Sequence, residues 1–117
     1  MRLDTILSYC HTLTGTEETF PFGPETLVLK VKGKMYALID VESPTSVNLK
    51  CDPEEAIDLR ERYDAVRPGF HMNKKHWNTV LLNGEINDGH LKEMIANSYN
   101  LVVKSLTKKL QNELSAG

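Results

Sequence analysis

The stretch Leu27-Val28-Leu29-Lys30-Val31-Lys32-Gly33-Lys34-Met35-Tyr36-Ala37-Leu38-Ile39-Asp40-Val41 decides the fold. Leu27, Leu29 and Val31 alternate with Val28, Lys30 and Lys32. After Gly33 the alternation restarts, with Met35, Ala37, Ile39 and Val41 interleaved with Tyr36, Leu38 and Asp40. A period of two is that of a strand, and a glycine between two such runs suits a tight turn. The stretch reads as a β-hairpin. Beyond the break at Ser43-Pro44, Val47, Leu49 and Cys51 alternate with Asn48 and Lys50 as a third strand of the same meander.

On the N-terminal side, Leu3, Ile6, Leu7, Cys10 and Leu13 recur at three and four residues and stop at Gly15, which predicts an amphipathic helix with a glycine cap. Phe20-Pro21-Phe22-Gly23-Pro24 is then a turn or the entry to an edge strand. On the C-terminal side, Asp52-Pro53-Glu54-Glu55 opens a second helix through Ala56, Leu59 and Tyr63. Asp accepts from free amides, Pro takes the first helical position, and the acids favour the positive end of the dipole. Ala65-Val66-Arg67 and Trp77 to Leu82 are expected to pair as strands. From Asp88, an expected N-cap, the residues Leu91, Met94, Ile95, Ser98, Leu101 and Val102 mark a third helix, which Leu106, Leu110 and Leu114 would extend toward a fraying tail.

The order contains no βαβ alternation, so the fold class is α+β, an antiparallel sheet with helices packed on one face and the other face open. One domain is expected over residues 1–117, with its core at about 3–103 and a helical tail at 104–117. The 117 residues are 40% apolar, with net charge −2 from 14 Lys+Arg and 16 Asp+Glu. That length fits one core with a radius of gyration of about 13 Å. The mildly acidic balance excludes a protein held on nucleic acid or lipid by bulk charge. No apolar run approaches a membrane span and the first residues do not read as a signal peptide, so a cytoplasmic protein with no membrane association is expected. Cys10 and Cys51 form no C-x-x-C pair and read as apolar thiols.

Charge is unevenly spread. Between Asp64 and Glu85 there is no acid, while Arg67, His71, Lys74, Lys75, His76 and the single tryptophan, Trp77, fall in that interval. Lys30, Lys32 and Lys34 surround the first hairpin turn, and Lys50 lies on the next strand. Lysine and arginine meet phosphates, Asn73 and Asn78 offer hydrogen bonds, and Trp77 or His71 can stack on a base. Alternating lysines also protect sheet edges, and a tryptophan opening a strand also suits a core. His71 and His76 are five apart, a spacing that fits neither one helical face nor one strand face as a metal pair. No catalytic signature is present: there is no G-x-S-x-G, phosphate loop, H-E-x-x-H or C-x-x-C. The expectation is a protein that is not an enzyme, without cofactor or metal.

The segments Pro21-Phe22-Gly23-Pro24-Glu25-Thr26, Gly33-Lys34-Met35, Asn48-Leu49-Lys50-Cys51-Asp52-Pro53-Glu54, Arg67-Pro68-Gly69-Phe70-His71-Met72-Asn73-Lys74-Lys75-His76-Trp77-Asn78-Thr79 and Ser98-Tyr99-Asn100-Leu101-Val102 together resemble the MmcQ/YjbR family of small bacterial proteins. The resemblance implies a double-wing α+β domain, related in shape to frataxin-like proteins, to type III secretion chaperones and to a phage DNA-binding domain. It implies DNA binding through a basic sheet face and two hairpin wings, with Lys50, Arg67, His71, Asn73, Lys74, His76 and Trp77 as the family's signature positions. Asn87 departs from a frequent proline, and Phe70, where tyrosine or another residue also occurs, lacks a hydroxyl contact. With the charge reading, the candidate nucleic-acid-binding set is Lys30, Lys32, Lys34, Lys50, Arg67, His71, Asn73, Lys74, Lys75, His76 and Trp77. Expected partners are DNA, bound weakly and in a salt-dependent way, or a protein or peptide on the open sheet face, with the chain a monomer or weak homodimer. An enzyme holding a small anion between Arg67, His71 and His76 is a third reading, which a deep pocket lined by all three would support.

Overall fold

The computed structural model describes residues 1–116. Six strands, β1 (Thr16–Thr19), β2 (Thr26–Val31), β3 (Lys34–Asp40), β4 (Ser46–Lys50), β5 (Val66–Pro68) and β6 (Trp77–Leu81), form one antiparallel sheet in the order β1-β2-β3-β4-β6-β5. The helices are α1 (Leu3–Cys10), α2 (Pro53–Arg62), α3 (Asp88–Ser105) and α4 (Lys108–Ala116). This is the expected α+β architecture, with a radius of gyration of 13.6 Å. The β2–β3 turn has Lys32 at φ 49° and Gly33 at φ 79°, the left-handed pair that a tight hairpin turn requires. β1 was not anticipated, because Thr-Glu-Glu-Thr carries no apolar residue. Its side chains instead bond inward, Thr19 Oγ1 donating to the Val28 carbonyl at 2.8 Å and Thr16 Oγ1 lying 2.8 Å from the Tyr36 hydroxyl.

One face of the sheet packs on the helices. Leu29, Val31, Ala37, Ile39, Val47, Leu49, Val66 and Val80 meet Ile6 and Cys10 of α1 and Leu91, Met94, Ile95, Tyr99 and Val102 of α3 in one core. The register of β2 and β3 shifts after Leu29, so Tyr36 bulges into that core. Ser98 repairs the ladder there. Its hydroxyl donates to the Tyr36 carbonyl at 2.5 Å and accepts from the Lys50 amide at 2.8 Å, just past the last β3–β4 pair.

Three helix boundaries differ from expectation. α1 ends at Cys10 with His11 as its C-cap, short of the expected glycine cap at Gly15. Asn87, not Asp88, caps α3, its side chain accepting from the His90 amide at 2.8 Å. The C-terminal leucines do not prolong α3: Leu106 is extended at φ −75°, ψ 158°, and Thr107 accepts the Leu110 amide to start α4. The tail is docked rather than frayed, with Leu114 packed on the core and Glu113 paired to Lys32 at 3.1 Å. A Cβ at Gly15 would stand 2.7 Å from Leu114.

The outer face is only partly open. Val28 and Leu38 point outward, while Val80 faces the helices, paired with Val47 and Val66. Val28, Leu38 and Trp77 form a second, smaller core, covered by Met35 and by Met72 from the β5–β6 connection. The sheet's rims are short: β1 carries Glu17 and Glu18, and β5 is three residues ending in Pro68. Among the described residues, no helix is long and apolar enough to cross a membrane.

Candidate nucleic-acid interface

The outer face can be read from the strand ladders. One row runs Thr19, Val28, Leu38, Asn48, Thr79, Arg67 across all six strands. Lys30 lies opposite Met35, and Lys50 opposite Trp77, so both share this face. Lys30 also lies opposite Glu17 on β1, which offsets its charge. Lys32 and Lys34 do not join them. Lys32 pairs with Glu113, and Lys34 Nζ donates to the Ser105 carbonyl and hydroxyl of α3, because the hairpin tip turns toward the helical layer.

The β5–β6 connection is a built loop rather than a flexible wing. Asn73 Oδ1 accepts from the amides of Lys75 and His76 at 2.9 and 3.3 Å, and Lys74 Nζ donates to the Gly69 carbonyl at 2.9 Å. Gly69, just past β5, packs against the start of β6; a Cβ there would lie 2.8 Å from Trp77 Cβ and 2.9 Å from the Trp77 carbonyl. Arg60, on α2, clamps the base of the loop, with Nε donating to Asn78 Oδ1 at 2.6 Å and Nη2 to the carbonyls of Lys74 and Trp77. The sequence reading gave Arg60 no role, because it read α2 from its N-cap, its acids and its apolar residues. The available signal was its place beside Leu59 on the Ala56–Tyr63 side of the helix.

Much of the basic and polar signature is therefore occupied. Asn73 and Lys74 hold the loop, and Trp77, 8% exposed, is the floor of the small outer core. Lys50, Arg67, Lys75 and His76 remain around the β4–β6–β5 end of the sheet, and among the described residues none of them has a carboxylate partner. Arg67 Nε donates to the Asp64 carbonyl at 3.1 Å, which leaves the rest of its guanidinium outward. His71 stands at φ 58°, its ring 4.2 Å centroid to centroid from Phe70, and both side chains are exposed.

Next to this cationic end lies a cleft of about 560 Å³ on the outer face. It is walled by Phe22 from the β1–β2 connection and by Phe70, His71 and Met72, and floored by Leu38, with Thr26, Asp40, Ser46 and Asn48 among its polar groups. His71 lines it, but Arg67 and His76 do not, so the three residues of the small-anion reading do not converge. The thiols offer no nucleophile at neutral pH: burial pushes both Cys10 and Cys51 up to about 11. The remaining histidines are elsewhere, His11 on Glu18 at 2.5 Å and His90 against the Tyr63 ring.

Comparison with known proteins agrees with this architecture. Over 102 residues the chain is 39% identical to YbdF of Escherichia coli O157:H7, covering 86% of this chain and 84% of that one. It is 33% identical to YjbR of Escherichia coli K12 over 110 residues, 93% of each. The crystal structure of Deinococcus radiodurans DR2400, a DUF419 domain, superimposes with a TM-score of 0.92 at 43% identity, over 97% of this chain and 87% of that one. A Pseudomonas syringae protein matches with a TM-score of 0.73 at 28% identity, over 86% and 98%. The YjbR family model spans residues 11–101, from the end of the first helix through the sheet, the clamped loop and most of α3, and with that coverage the chain belongs to the YjbR family.

Proposed function

We propose that the β4–β6–β5 end of the outer sheet face binds nucleic acid by its phosphate backbone, weakly and without catalysis. The observation that carries the reading is the set Lys50 and Arg67 on the outer face and Lys75 in the connection entering β6, three cations with no carboxylate partner among the described residues. Lysine and arginine in that state release counterions from a phosphate chain at no cost in broken ion pairs. Exposed Phe70 and His71 beside them supply rings on which a base can stack. Lys32, Lys34, Lys74, Asn73 and Trp77 have internal roles and leave this contact set.

Three phosphate contacts predict a salt slope of about −2.7 and a loss of affinity of roughly 40-fold between 50 and 200 mM salt. Fluorescence anisotropy with labelled duplex and single-stranded DNA across that range tests this. The pair Lys50→Ala plus Lys75→Ala should reduce the slope to about −0.9. Unchanged affinity in the double variant would remove these residues from the reading. A second reading, a protein- or peptide-contact module, draws on the exposed Phe20, Phe22 and Phe70, which are 49, 61 and 68% accessible. Flat anisotropy at every salt concentration would favour it.

A further inference from the structure

The outer-face cleft has chemistry that the cationic end lacks. Its lining holds the carboxylate of Asp40 and no lysine or arginine, so it is no phosphate site. Its two principal hydrogen-bonding groups are held in defined directions. Asp40 Oδ1 accepts the amides of Glu42 and Ser43 at 2.9 and 3.2 Å, which fixes the carboxylate and leaves Oδ2 without a protein partner among the described residues. The Phe70 amide donates to Thr79 Oγ1 at 2.9 Å, and the Thr79 hydroxyl donates to Asn48 Oδ1 at 2.5 Å. With Oδ1 so engaged, Asn48 Nδ2 has no protein partner among the described residues. The cleft thus offers a charged acceptor and a neutral donor between the rings of Phe22 and Phe70, over the apolar floor of Leu38.

We infer that this cleft accepts one unpaired base of a nucleic-acid strand, with guanine preferred. A flat ring system suits the phenylalanine walls, and bases taken out of a stack are held by aromatic side chains and read on their Watson–Crick edge. Guanine presents two adjacent N–H donors and a carbonyl on that edge, which match a carboxylate oxygen and an amide N–H. Adenine and the pyrimidines lack that pair of donors. The placement is also complementary in charge, with the base in the acidic cleft and the strand's phosphates toward Arg67 and Lys50. The inference rests on the nucleic-acid reading above and adds to it a preference for single strands.

The test compares a labelled single-stranded oligo-dT with the same strand carrying one central dG, alongside NMR titration with free guanosine and adenosine, which bear no phosphate. The dG strand should bind several-fold more tightly, and guanosine should shift the signals of Phe22, Asn48 and Phe70. Asp40→Asn keeps the acceptor for the Glu42 and Ser43 amides but turns Oδ2 into a donor. It should abolish the dG preference, a loss of about tenfold for guanosine, while leaving oligo-dT binding unchanged. Phe70→Ala, at an exposed position, should weaken both strands by roughly fivefold or more. Equal binding of the two strands with no guanosine shifts overturns the cleft and leaves the phosphate surface standing. Guanosine shifts without binding of either strand keep the base-sized cleft and overturn the strand and the phosphate surface. Silence in every arm overturns both.

Discussion

Gly69 is required by crowding rather than by backbone torsion. It lies where the loop closes on β6, its amide donating to the Trp77 carbonyl at 2.9 Å. An added methyl would press on the backbone of Trp77 and on Met72 Cβ at 3.1 Å. Gly69→Ala should therefore destabilise by about 1–3 kcal/mol, read by urea unfolding, and should red-shift Trp77 fluorescence as the Met72 cover lifts. An unchanged midpoint and spectrum would mean that the loop yields without strain. The same residue-level view explains what the signature Arg67-Pro68-Gly69-Phe70-His71-Met72-Asn73-Lys74-Lys75-His76-Trp77 encodes. Asn73 and Lys74 satisfy loop backbone groups and Trp77 is floor, so a run that reads from charge as a binding stripe is mostly the specification of a rigid loop.

Among the elements, α3 and the sheet are tied at Ser98, whose hydroxyl is fully buried. Ser98→Ala would leave the Tyr36 carbonyl and the Lys50 amide unpaired in the core, a cost of about 3 kcal/mol. Asn100→Ala, on the exposed side of the helix, should change stability by less than about 0.5 kcal/mol, and equal effects of the two in thermal melts would refute the bridge. The strands β2 to β4, the cap of α2 and the face of α3 were legible because each rests on a local rule: alternation, an N-cap with proline, or a spacing of three and four. β1 was illegible because an all-polar edge strand is held by ladder bonds that have no hydropathy signal. The break at Leu106 was hidden because leucines at 106, 110 and 114 continue a helical period even though they belong to two helices. The site was half legible. Composition located the acid-free interval, but which cations stay free depends on Glu113, Ser105, Gly69 and Glu17, residues distant in sequence or silent in a charge count.

At the scale of the whole molecule, the helix-side core holds three buried ionisable groups, Cys10, Tyr36 and Tyr99, in their neutral forms. Desolvation raises Cys10 from its ordinary 9 to about 11 and lifts Tyr36 above its usual range, as it also raises Cys51 at the core's margin. With folded values above unfolded ones, the native state holds these protons longer. Stability is whole below pH 9 and should fall as pH rises from about 9 through 11. Urea unfolding at pH 8, 9.5 and 10.5 should show that decline, and Cys10→Ala should make it shallower without removing it, since the other groups remain; a profile level across the range would contradict the burial of these groups. The short rims of the sheet reach further still. With four residues and two carboxylates on one border and three residues ending in proline on the other, neither border gives a passing polypeptide enough free backbone to zip onto. Copies brought together at high concentration should therefore resist building fibres by strand addition.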